Sequence, residues 1–127
     1  MMHPVVPAVG TMALLMLLQV LVADFVGIRN RHVPGSGLSG GHEDAFFRVA
    51  RTVANTNETI AIFLLAALFC VWAGASESAT AWAAWAYVGA RGAYAVCYYC
   101  NLQTLRSTCF VISLLALLAL LVIGFRA

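Results

Sequence analysis

Arg48, Arg51, Asn55 and Glu58 recur at spacings of three, four and three residues. At 100° per residue they fall within an arc of roughly 80° on one helix face, which makes a polar stripe. Further along, Arg91, Tyr94 and Tyr98 repeat the same three-and-four spacing and stack a guanidinium and two phenols on one side. Arg106 and Ser107 follow at the start of another helix, where first-turn N–H groups and an arginine together suit an anion. Four or five arginines against the single carboxylate of Glu58 leave surplus positive charge. Arginine forks bind carboxylates bidentately, so the chemistry indicated is capture of a polar, carboxylate-bearing ligand. A plainer reading pairs Glu58 with Arg91 or Arg51 for packing alone.

The elements that position these residues are apolar. Of 127 residues, 63% are hydrophobic and only 9% charged, against roughly a quarter charged in soluble domains, which excludes an ordinary water-soluble fold. All seven basic residues are arginine, scattered without the basic stripe that nucleic-acid binding requires, so no nucleic-acid partner is expected. A hydrocarbon core about 30 Å thick is spanned by about 20 helical residues. Spans are expected at about 5–28, 45–74, 79–100 and 107–125, giving an all-α integral membrane four-helix bundle in a single domain, 1–127. The first run is read as a permanent span, because it is long and no arginine or lysine precedes it.

Residues 34–41 hold five glycines or prolines in eight and are read as the only long loop. Arginines gather in the first and third connections. The positive-inside rule therefore places those loops in the cytoplasm and both termini on the opposite side. An ionisable group at membrane depth costs about 2.5–3.5 kcal/mol on insertion scales, so the two stripes are expected to face a polar space rather than lipid.

Smaller features are read conservatively. Cys70, Cys97, Cys100 and Cys109 lie in apolar runs and are expected to pack; Cys97 and Cys100 form a CxxC with no second pair to complete a zinc site. Trp82, Trp85 and Tyr87 are assigned to an interfacial aromatic belt. Gly89 and Gly92 are assigned to close helix packing. His3, His32 and His42 share no metal-ligand spacing and are read as solvated loop residues, so no metal is expected.

With these residues in view, the sequence resembles the MAPEG family, the membrane-associated proteins of eicosanoid and glutathione metabolism. The stripe Arg48, Arg51, Asn55 and Glu58 is similar to the family signature of arginine, three residues, asparagine, two residues, glutamate. Arg91, Tyr94, Tyr98, Asn101, Arg106 and Ser107 are similar to its third-helix stripe and arginine turn. The resemblance implies a homotrimer embedded among membrane lipids, with glutathione as co-substrate held between subunits and a lipophilic small molecule as second substrate. It implies that Arg51, Asn55 and Glu58 hold the peptide's polar ends, with Arg48 beside them. Arg91, Tyr94 and Tyr98 would complete the cradle, and Arg29 or Arg31 would close it. Arg106 would stabilise the thiolate, with Ser107 as a second catalytic residue. Val53, Thr59 and Ile62 depart from the pattern: many members carry Gln or His at the first position, some tyrosine at the second, and animal members often a kinking proline at the third. The activity implied is conjugation or reduction of lipophilic electrophiles. The alternative is a non-catalytic scaffold or lipid-binding subunit that keeps the fold.

Overall fold

The computed structural model describes residues 1–127. Four helices and no strand make up the chain: α1 (Val6–Arg29), α2 (Ala45–Trp72), α3 (Glu77–Tyr99) and α4 (Gln103–Phe125). Local chemistry sets their ends. Pro7 stands in the first turn of α1, where a missing N–H costs nothing. Asp44 Oδ1 accepts from Phe46 N at 2.9 Å and starts α2. Ser76 caps α3 by accepting from Ala79 N. Gly74 and Asn101 take left-handed φ values of 69° and 58° just past α2 and α3, as helix stops require. Helix α2 runs unbroken through Ile62, so the proline kink common in animal relatives of the resembled family has no counterpart.

Short turns join α2 to α3 and α3 to α4, whereas residues 30–44 link α1 to α2. Helices α2 and α3 form the central pair. Helix α1 packs on both of them, α4 packs on both from elsewhere, and α1 and α4 do not touch. This topology brings the end of α1, the start of α2, the end of α3 and the start of α4 to one end of the bundle. Every arginine except Arg126 and the more deeply set Arg91 lies near that end.

The core is built from small residues and a few large ones. Ala8, Met12, Phe63, Ala66, Cys70, Ala84, Tyr87 and Leu120 are all buried. Large apolar side chains point outward instead: Leu14, Leu17, Leu21 and Phe25 on α1, and Leu115, Leu118 and Val122 on α4. That inside-out arrangement suits lipid, and α1, α2 and α4 are each long and apolar enough to cross a membrane. Helix α3 has spanning length but carries Arg91, tyrosines, threonine and glycines. Its most polar residues, Thr80, Tyr87, Arg91, Tyr94 and Tyr98, face inward, where the other helices cover them.

Two sequence assignments are corrected here. Tyr87 is no belt residue: it is fully buried, its hydroxyl shares a 2.8 Å hydrogen bond with Thr59, and its ring stacks on Phe63 at 4.4 Å. Trp82 and Trp85 remain exposed, since they occupy the opposite face. Close packing is not carried by Gly89, which has open space at its missing Cβ, nor by Gly92, whose nearest neighbour is Leu15 at 4.0 Å. It is carried by Gly124, where a Cβ would fall 2.6 Å from the Phe69 ring on α2. Replacing Gly124 with valine is expected to overpack the α2–α4 contact by about 1–3 kcal/mol. Thermal melting in detergent should show a lower midpoint for Gly124→Val, partly restored when Phe69→Leu is added.

Candidate functional site

Helix α2 has two polar faces. Thr52, Thr56 and Thr59 lie on the buried seam with Val49 and Phe63. The stripe lies alongside, turned outward. Arg48 Nη1 donates to His42 O at 2.7 Å, which ties the stripe to the long loop. Arg51 Nη2 stands 3.9 Å from Glu58 Oε1, and Asn55 Nδ2 donates to Glu58 Oε2 at 3.4 Å. Both contacts are long. The Arg51 and Glu58 side chains are 41% and 56% exposed, although Glu58 lies about 20 Å along an apolar helix at 1.5 Å per residue.

Arg91 is placed differently. It lies about 12 Å in from the end of α3 and is completely buried. Arg91 Nη2 donates to Thr56 Oγ1 at 3.0 Å, and Thr56 Oγ1 donates to Gln19 Oε1 on α1 at 2.8 Å. The guanidinium lies 4.3 Å over the ring of Tyr94, and Glu58 is within electrostatic reach. Arg91 therefore sits behind the stripe, inside its own subunit.

At the mouth of the bundle the aromatic residues take over. Tyr94 meets Tyr98 edge to face at 5.9 Å, and the Arg106 guanidinium covers the Tyr98 ring at 4.5 Å. The Tyr98 hydroxyl shares a 2.6 Å hydrogen bond with His42 Nδ1, and Arg106, Arg51 and Arg48 are all within its electrostatic reach. His42 is thus not a merely solvated loop residue. The stripe of α2, the tyrosines of α3 and the first arginine of α4 share one end and one neighbourhood.

The remaining residues are less engaged. Ser107 donates back to Gln103 O and is exposed on the outer face of α4. There, with Thr104, Thr108, Val111 and Ile112, it lines an open groove of about 490 Å³. Arg29 lies over Phe25, and Arg31 adopts a left-handed φ of 54°; both are exposed and neither bonds to the stripe. Tyr99 points away, its hydroxyl without a partner. No group of three His, Cys, Asp or Glu side chains is arranged to hold a metal.

Charge is unbalanced. Arg51 makes one long ion pair, to Glu58, and Arg48, Arg91 and Arg106 have no carboxylate partner within 4 Å. Arg48 Nε, Arg91 Nε and Nη1, and Arg106 Nε are buried without acceptors. Unpaired buried donors of charged groups are costly, and the arginines at the bundle end, Arg48 and Arg106, suit a ligand rich in anionic oxygens.

Sequence reasoning missed Gln19, Thr56 and His42. Gln19 was detectable, since a polar amide in the middle of an apolar span violates the same rule that singled out Arg91. Thr56 lies one residue off the stripe and was masked by it. His42 gave no local signal, because its partner Tyr98 is 56 residues away.

Compared with known proteins, the chain has no match among curated sequences. A family model described as the MAPEG family matches residues 4–126. With that match over nearly the whole chain, on four helices that gather the stripe, the tyrosine pair and the arginine turn at one end, the protein belongs to the MAPEG family.

Proposed function

We propose that the protein is a glutathione-dependent membrane enzyme that conjugates or reduces lipophilic electrophiles, working as a homotrimer with the thiol peptide held between subunits. The observation that carries this reading is the exposed charged stripe on an otherwise lipid-suited helix. Glu58 and Arg51 are not covered within the subunit, and charges at that depth do not face acyl chains. A second copy of the chain, packed along α2, would enclose them and leave a polar seam between subunits.

Glutathione fits the donors present. Its two carboxylates suit the arginine forks of Arg48 and Arg51, and its ammonium suits Glu58, with Asn55 between them. Tyr94 and Tyr98 are buried within the subunit and would back the site by seating Arg91 and Arg106 on their rings, Arg91 adds positive charge from behind, and Arg29 or Arg31 closes the loop side. A thiol of pKa about 8.5 is mostly protonated at neutral pH. Arg106, resting on Tyr98, favours the thiolate, which then attacks an electrophilic carbon while the leaving group departs or the adduct takes up a proton. Ser107 lies on the groove along α4, a route for an apolar substrate from the bilayer. Loops one and three, with this site, would face the cytoplasm under the positive-inside rule.

Two outcomes test this. Titrating glutathione into detergent-solubilised protein should give saturable binding with a rise in ultraviolet thiolate absorbance, and Glu58→Ala should weaken it by about tenfold or more, as loss of a charged partner at about 1.5–3 kcal/mol implies. No saturable binding by the wild type would remove the proposal. Arg106→Ala should remain a trimer by native mass spectrometry, bind glutathione, and lose most turnover at neutral pH. Its residual rate should climb with pH toward the ionisation of the free thiol, because deprotonation then no longer depends on the guanidinium. A scaffold would instead show no turnover in either form and intact assembly in both.

A further inference from the structure

A continuous line of contacts runs from the interior of α1 to the arginine proposed to stabilise the thiolate. Gln19 Oε1 accepts from Thr56 Oγ1 at 2.8 Å, Thr56 Oγ1 accepts from Arg91 Nη2 at 3.0 Å, and Arg91 lies 4.3 Å over Tyr94. Tyr94 abuts Tyr98 at 5.9 Å, and Arg106 rests on Tyr98 at 4.5 Å. Gln19, Thr56 and Arg91 are 3%, 1% and 0% exposed, so no solvent competes for these bonds.

The direction of the Arg91–Thr56 link is forced, and the structure sets that of the Thr56–Gln19 link. A guanidinium can only donate, so Thr56 must accept from Arg91 and has one proton left to give. Gln19 takes that proton, with its amide oxygen turned toward Thr56. Without an acceptor on α1, the Thr56 hydroxyl can turn back to a carbonyl of its own helix, as buried threonines commonly do. Arg91 would then lose the geometry of its single side-chain hydrogen bond, and Tyr94 would lose a fixed cation over its face.

We propose that Gln19 and Thr56 are positioning residues that, through Arg91 and the Tyr94–Tyr98 pair, hold Arg106 where it meets the thiol. This rests on the reading of the site as a thiol-peptide site. Neither residue touches the ligand. A buried pair kept only for helix packing would affect stability and nothing else, so the test reads the thiol itself.

Gln19→Leu, Thr56→Val, Thr56→Ser and the double variant Gln19→Leu/Thr56→Val are prepared in detergent, with circular dichroism confirming helix content. Gln19→Leu and Thr56→Val are each expected to weaken glutathione binding about two- to tenfold, the worth of one buried hydrogen bond, and to move the bound thiol's titration to higher pH. Thr56→Ser, which keeps the hydroxyl, should stay near wild type. The double variant should be no worse than the poorer single, since both cut one relay. Unchanged binding and thiol titration in folded Gln19→Leu would overturn the inference, as would single effects that multiply in the double. If the wild type itself binds no glutathione, the reading of the site fails instead. The near-ultraviolet tyrosine circular dichroism of the same four variants then decides the relay: a change in Gln19→Leu and Thr56→Val that Thr56→Ser does not show supports it, and an unchanged signal in folded Gln19→Leu rejects it.

Discussion

A guanidinium inside a bilayer-sized bundle must find anionic or aromatic company, and the rest of this molecule is arranged around that requirement. Water supplies no partner at such depth, so each arginine has to be met by another helix, a neighbouring subunit or a ligand. Arg91 is met within its own chain by Thr56 and Tyr94. Arg106 is met in part by Tyr98. Arg51 has only the loose contact with Glu58 and remains open at the surface of its helix.

That gradient, from enclosed to open, explains the packing around it. Small side chains dominate where α2, α3 and α4 approach, and bulky leucines are turned outward. Helix α3, the most polar, has its inner face against the other helices and turns its indoles, Glu77, Val96 and small residues outward. Asp44 at the start of α2, and the positive-φ Asn101 after α3, place the stripe and the arginine turn at one end rather than opposite ends. Function in this reading is the part of the charge balance that the chain leaves undone.

Much of this was legible in the sequence. Four helices followed from apolar run lengths, and the α2 stripe and the α3 series followed from spacing alone, because both depend only on helical periodicity. What spacing could not say was which side of each helix faces inward. Arg91 and Glu58 looked like partners across one cavity, yet the structure turns Arg91 into the core and Glu58 outward, since Thr56 and Gln19 supply Arg91 with a neutral partner. Tyr87 read as interfacial by composition and proves to be core, because Thr59 on α2 satisfies its hydroxyl. The His42–Tyr98 contact depends on a loop path that no local pattern encodes.

The proposed activity depends on the uncovered charges of α2 lining a seam between copies of this chain where a thiol peptide binds. The most direct measurement is an experimental structure of the assembled protein in lipid nanodiscs with glutathione added. Three copies are expected, with the peptide's carboxylates on Arg48 and Arg51 of one subunit and its sulfur beside an Arg106. A stripe lying against lipid, or Arg51 and Glu58 closed on protein partners with the added peptide elsewhere, would contradict it.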